Sequence, residues 1–231
     1  MAKSFVHFWE SLEDKKEAKD RAARVLKPIK TYNKKAKKVL ELGVGIGAVL
    51  DNFPKKFLIY GLDIEEDYID VCKKKIKRGK FFVSSMHNFK VHEEFDVVFS
   101  VFDSINFLED FNQWKSTFLA VSQHLKESGL FIFDMYTPRA LQHFRGKEAT
   151  ASKFPKGYVY DQALVRGNTL TWDFKIFEKI TEDTYQIHEY EFTERIYPVS
   201  KVKHALTQQF EILKTRHLEE GRKILFVCRK K

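Results

Sequence analysis

Short apolar runs alternate with amphipathic stretches through the first 138 residues of the chain. The runs lie at 39–42, 57–63, 81–84, 95–101 and 130–135, and their lengths suit strands. Between them, 48–53, 66–77 and 111–125 place apolar residues at the three- and four-residue spacing of helices. Near-continuously apolar strands alternating with helices predict a doubly wound α/β fold, a parallel sheet covered on both faces. Ahead of it, residues 4–30 predict a leading helix. Phe5, Phe8, Trp9 and Leu12 recur at helical spacing, Ala22, Val25 and Leu26 continue the face, and Pro28 ends it. Such a leading segment is suited to cap a pocket.

After Pro138 the period changes from helical to two. Residues 158–166, 169–180 and 184–197 alternate along their length and are joined at Gly167-Asn168 and Glu182-Asp183, which predicts a three-stranded antiparallel meander. Residues 199–209 return to helix, and 211–217 with 223–229 form a closing hairpin around Glu219-Glu220-Gly221. The expected organisation is a helical cap at 1–38, a main domain at 39–138 and 198–231, and an antiparallel β insertion at 139–197.

Composition narrows the class. With 231 residues, 43% apolar, 15% aromatic and 22 phenylalanines, the chain supports one well-cored domain with an insertion. No apolar run approaches the ~18–20 residues of a membrane span, and Glu10, Glu13 and Asp14 interrupt any signal-peptide core, so a cytoplasmic protein is expected. Cys72 and Cys228 stand far apart with no partner spacing, which argues against a disulfide framework or zinc site, and no metal is expected. The net charge of +9 raises the question of nucleic acid. Its main clusters, Lys27 to Lys38 and Lys73 to Lys80, are lysine-dominated without aromatic interleaving, so they read first as solvated faces.

The chemistry begins at Glu41-Leu42-Gly43-Val44-Gly45-Ile46-Gly47, where a strand runs into a glycine-spaced turn, with Asp63 twenty residues beyond Gly43. Glycines let the backbone approach a ligand closely, and an acid at the end of the next strand suits two ribose hydroxyls. Asp63 also suits a helix N-cap. By themselves the glycines leave a nicotinamide dinucleotide and S-adenosylmethionine (SAM) both open.

With its acid at Glu41 and its third glycine at Gly47, the turn resembles motif I of the class I SAM-dependent methyltransferases, a resemblance extending from Val39 to the C-terminus. It implies a Rossmann-like seven-stranded sheet whose last strand is antiparallel, with SAM as cofactor. It also implies roles for individual residues. Glu41 orients the loop and the amino end of the methionine moiety, Gly43, Gly45 and Gly47 face the cofactor, Asp63 binds ribose, and Ile64 packs beside adenine. Ser85 stands where many relatives carry an adenine-reading Asp, followed by Met86. The segment from Phe95 to Leu108, with Ser100, Phe102, Asp103 and Asn106, resembles the fourth-strand motif of small-molecule methyltransferases that carry a β insertion. Leu130 to Pro138 resembles their Phe-Asp-x-Asn-Thr-Pro segment, with Tyr136 at the Asn position. No Asn/Asp-Pro-Pro-Tyr/Phe tetrapeptide marks base-amine chemistry.

The expected activity is therefore methyl transfer from SAM to a nitrogen or oxygen of a small molecule, with the insertion roofing the acceptor. Tyr136, His188 as a base and Arg195 as a carboxylate ligand are the catalytic candidates, and Tyr158 and Trp172 are expected in the same pocket wall. An RNA methyltransferase and a SAM-binding module without turnover are the alternatives.

Overall fold

A computed structural model describes residues 3–231, apart from the side chains of Lys3, Ser4, Phe5 and His7; the expected packing of Phe5 lies outside the described residues. The leading segment is two helices, α1 (Lys3–Leu12) and α2 (Lys15–Tyr32), instead of one. Asp14 makes the break. Its carboxylate accepts from the backbone N–H of Lys16 at 2.7 Å and of Glu17 at 3.3 Å, capping α2. Pro28 does not end α2, which buries Ala18, Ala22, Val25 and Ile29 and runs four residues past the proline. The packing of that stripe outweighs the single backbone donor lost at the ring.

The main sheet begins with β1 (Lys38–Leu42), followed by α3 (Ala48–Asp51), β2 (Leu58–Asp63), α4 (Glu66–Lys75), β3 (Lys80–Val83), β4 (Phe95–Ser100), α5 (Phe111–His124) and β5 (Leu125–Tyr136). β5 starts earlier than its apolar run because its first residues pair with β4 ahead of an irregularity, with Ser128 at φ +58°. After α6 (Pro138–Phe144), a second sheet holds β6 (Thr150–Phe154), β7 (Gly157–Arg166), β8 (Thr169–Lys179) and β9 (Tyr185–Arg195). The chain closes with α7 (Val199–Leu206), β10 (Phe210–Leu218) and β11 (Lys223–Lys230).

The seven main strands run in the order β10-β11-β5-β4-β1-β2-β3. β1 to β5 pair in parallel, and β11 is antiparallel to both β5 and β10. Both faces are covered, which is why the strands read as continuous apolar runs. Val39, Val97, Phe99 and Ile132 pack against Val25 and Ile29 of α2 and Ile69 of α4. Leu40, Val98, Phe131 and Phe133 pack against Trp114 and Phe118 of α5 and Leu206 of α7.

The second sheet is antiparallel throughout, in the order β6-β7-β8-β9, with one strand more than the meander expected. β6 was illegible because its only buried side chain is Phe154; pairing with β7 holds it, without an apolar face. Register puts Leu170, Trp172, Phe174 and Ile176 of β8 opposite Glu194, Phe192, Tyr190 and His188 of β9, all on one face. One end of this face packs on α6 through Leu170 and Leu141, the other on α1 through Phe154 and Phe8. Among the described residues no helix is long and apolar enough to cross a membrane.

Candidate functional site

The β1–α3 turn makes the first half of the site. Gly45 has φ +51°, and a Cβ added there would meet nothing within 4 Å, so the turn opens onto free space where a ligand can reach its backbone. Gly47, at φ +76°, is instead tightly enclosed: an added Cβ would lie 2.7 Å from Ile76 Cδ1 and 3.0 Å from Cys72 Sγ. Asp63, at the end of β2, accepts from the Gly45 N–H at 2.9 Å and from the Glu65 N–H at 3.1 Å. It braces both the turn and the start of α4. Burial pushes its carboxyl above the usual range, against the pull of those bonds.

Glu41 lies behind the turn, 3% exposed, and its Oε2 has no hydrogen-bond partner among the described residues. Burial, reinforced by Asp63, pushes its carboxyl well up, while the Arg21 guanidinium opposes the rise. Arg21 was not anticipated in the sequence. α2 carries it over the ring of Phe102, 3.6 Å from the ring centre, so a cation from the leading helices reaches the end of the strand β4.

Other expected cofactor contacts divide. Ile64 is exposed beside Asp63, as a residue flanking a ligand can be. Ser85 shares a 2.7 Å hydrogen bond with His87 Nδ1, and the Met86 methyl lies close to Gly43. Ser100 is buried and donates to the Leu42 carbonyl at 3.1 Å, so its hydroxyl ties β4 to β1.

The second half of the site lies at the carboxyl ends of β4 and β5. Phe102 and Asp103 leave β4 in the left-handed region, at φ 63° and 53°. Asp134 accepts from the Asp103 N–H at 2.7 Å, and Lys223 Nζ, from the start of β11, reaches Asp103 Oδ1 at 2.5 Å and Glu219 Oε1 at 3.4 Å. Lys223 also lies over the Phe102 and Tyr136 rings, 5.0 and 4.7 Å from their centres. Asn106 joins the two sheets: its Oδ1 accepts from the Tyr136 N–H at 3.0 Å, and its Nδ2 donates to the Arg195 carbonyl at 2.8 Å. That contact brings the end of β9 down onto the carboxyl edge.

Glu194 arrives with it. Only 2% exposed, it accepts from Trp172 Nε1 at 2.8 Å through Oε1, while Oε2 has no hydrogen-bond partner among the described residues. Burial and the nearby Asp103 push its carboxyl well up; the same causes push Asp134 up to about 6. Burial works against the Lys223 ammonium, but Asp103, Asp134 and Glu219 more than offset it and raise its pKa. Three buried carboxyls, Asp103, Asp134 and Glu194, thus share one buried ammonium.

Of the catalytic candidates, Tyr136 stands in this cluster, its ring beside Lys223 and its hydroxyl held in the neutral form by burial. His188 does not. It lies six residues along β9 from Glu194, about 20 Å at strand rise, with its Nε2 3.3 Å from Glu178 Oε2. Arg195 follows Glu194 and so points to the other face, where its Nε donates to the Glu109 carbonyl. Tyr158 likewise falls on the outer face, 45% exposed, one residue out of phase with the buried Val159, which corrects its expected place in the pocket wall. Trp172 is on the inner face, beside Glu194. Glu194 was missed, although the period-two series Tyr190-Phe192-Glu194 puts an acid on an aromatic face and was the available signal. Lys223 carried the same kind of signal, as a cation opening the apolar run 224–228.

Comparisons with known proteins agree with this geometry. Residues 39–129 match a family model described as a methyltransferase domain. A protein from Geobacillus sp. (strain WCH70) that bears a provisional methyltransferase name is 24% identical over 213 residues, covering 89% of this chain and 86% of its own. Among solved structures, an S-adenosylmethionine-dependent methyltransferase from Clostridium acetobutylicum superposes with a TM-score of 0.85 at 21% identity, covering 98% of both chains. A sugar N-methyltransferase from Streptoalloteichus sp. ATCC 53650 superposes with a TM-score of 0.81 at 17% identity, over 91% of this chain and 87% of that one. With motif I formed at the end of β1 and the acid at the end of β2, residues 39–129 match a methyltransferase domain, and the whole chain shares the fold of S-adenosylmethionine-dependent methyltransferases.

Proposed function

We propose that this enzyme methylates a small polar molecule held between the carboxyl edge of the main sheet and the inner face of β6–β9. The observation that carries the reading is the Asn106 bridge, which seats Glu194 and Trp172 beside Tyr136 and Asp103. α1 supports it from the other side, where Phe8 packs on Phe154 at 5.3 Å and Trp9 on Phe174 at 6.4 Å. A site bounded by a sheet, a helix and aromatic rings suits a compact acceptor better than a nucleic-acid stem. The sugar N-methyltransferase among the structural neighbours supports the same class.

The residues at the turn fit the cofactor. Glu41, buried with an unused acceptor, suits an α-ammonium; Arg21 suits the α-carboxylate beside it; Asp63 suits the ribose hydroxyls. SAM supplies an already activated methyl group, so the protein's work is alignment and exclusion of water. In this reading residues 39–138 with 198–231 hold the cofactor, 139–197 roof the acceptor, and 1–38 close the entrance. Tyr136 and the roof orient the acceptor.

The test is methyl-labelled SAM offered with a panel of hydroxylated and amino sugars, free and as glycosides, alongside total tRNA and rRNA. Label is expected in small products alone. Label in RNA, with none in any small acceptor, overturns the reading.

A further inference from the structure

We propose that the buried carboxyl cluster at the carboxyl edge is a subsite for an amine acceptor in its ammonium form, in which Glu194 Oε2 takes the acceptor's proton. This rests on the methyltransferase reading above and specifies the reacting atom. The argument begins with charge. Asp103, Asp134 and Glu194 are each 5% exposed or less, and among the described residues Lys223 is the single cation buried with them. Lys223 is committed to Asp103 and Glu219, and Asp134 Oδ1 to the Asp103 N–H. Glu194 Oε2 is left as a buried carboxylate oxygen with no hydrogen-bond donor among the described residues. A cation with N–H donors supplies both missing elements; a neutral hydroxyl acceptor supplies a donor but leaves the excess negative charge.

The surroundings point the same way. Trp172 and Phe192 share the face of Glu194, Phe107 packs edge-on to Phe192 at 6.4 Å, and Tyr136 stands across from them. Aromatic faces around a carboxylate favour a desolvated ammonium. The groups bearing on Glu194 are Asp103 after β4, Tyr136 on β5, Trp172 on β8 and Lys223 on β11. His188, on the same strand, is too distant to serve.

The step balances. An ammonium N–H bond breaks as its proton passes to Glu194 Oε2, leaving the lone pair on nitrogen. That pair then forms the N–C bond to the methyl group while the S–C bond breaks and its electrons return to sulfur, giving a methylated ammonium and neutral S-adenosylhomocysteine. Burial and Asp103, which strengthen proton binding at Glu194, make it an effective acceptor for that proton.

The test needs no natural substrate. In protein carrying carboxyl-13C glutamate and saturated with S-adenosylhomocysteine, the Glu194 signal is assigned by its loss in Glu194→Gln. Methylammonium is then titrated against its neutral counterpart, methanol, with the Trp172 indole N–H signal as a reporter in both proteins. Saturable shifts are expected with methylammonium only, and about tenfold weaker binding in Glu194→Gln, the loss of one charge-assisted contact. Equal responses to methanol, or equal methylammonium binding in both proteins, overturns the proposal. Should Glu194→Gln fail to fold, Glu194→Asp, which also removes the labelled glutamate, assigns the signal, and the wild-type protein decides: no change at saturating methylammonium overturns it, and a change absent with methanol supports it. The two readings fail separately. Selective methylammonium binding without methylation of any small molecule removes the function proposed above and leaves the ammonium subsite standing. Methylation of hydroxyls alone, with Glu194 indifferent to methylammonium, does the reverse.

Discussion

At the scale of single residues, the cofactor half of the site is dictated by local backbone chemistry. Gly45 combines φ +51° with open space, so Gly45→Ala costs the fold only about 1 kcal/mol of left-handed strain yet puts a methyl group where the ligand approaches. SAM affinity measured by calorimetry is expected to fall at least about tenfold while the melting temperature drops by only a few degrees. Asp63→Asn is the complementary case. It keeps one oxygen and turns an NH2 toward the other backbone N–H, so the charge and one of the two bracing bonds are lost; the melting temperature is expected to fall by a few degrees and SAM binding to weaken by roughly 1–3 kcal/mol. Unchanged affinity shows that Asp63 serves the turn alone. These positions were legible because Glu41, the glycine turn and Asp63 lie within 23 residues and the chemistry needs them in that order. Arg21, Glu194 and Lys223 were not, because Arg21 and Lys223 acquire their meaning from Phe102 and Asp103, 80 or more positions away in the chain, and Glu194 from the seating of β9 on the carboxyl edge through Asn106.

At the scale of elements, Asn106 is where the second sheet is attached to the first. It is fully buried and satisfies the Tyr136 N–H and the Arg195 carbonyl at once. Asn106→Ala strands both groups, at about 1–3 kcal/mol each, and loosens the seat of β9. The expected outcome is a lowered melting temperature and a raised KM for the acceptor, with SAM affinity within about threefold of normal. A KM that does not move separates the β6–β9 sheet from acceptor binding. Patterning identified β7, β8 and β9 because their half-buried faces alternate, and it missed β6, whose Thr150-Ala151-Ser152-Lys153 is exposed on both sides. It also merged α1 with α2, since apolar spacing continues across Asp14 while the cap alone divides them.

At the scale of the whole molecule, the buried carboxyls make stability depend on pH with an unusual sign. Asp134, pushed up to about 6, holds its proton more tightly folded than unfolded. Its penalty is absent below about pH 4, where both states are protonated, and fully present above about pH 6; stability falls as pH rises through that window. The linkage value is on the order of 3 kcal/mol, and Glu194 and Glu41, also pushed up by burial, act in the same direction. Asp134→Asn keeps an acceptor for the Asp103 N–H, so in the ligand-free protein it is expected to melt higher than wild type at neutral pH and equally near pH 4. A variant that melts lower at neutral pH shows that Lys223 depends on both aspartates. The sequence by itself determined the doubly wound sheet, the antiparallel closing hairpin and the glycine turn with its acid, because period, turn residues and short spacings act along the chain. Only the tertiary structure decided which side chains meet at the carboxyl edge. A one-residue phase puts Glu194 inside and Arg195 outside, six residues of strand carry His188 away, and the fold of α2 brings Arg21 to Phe102. Those outcomes depend on register and on contacts between distant segments, and neither is written in any local pattern.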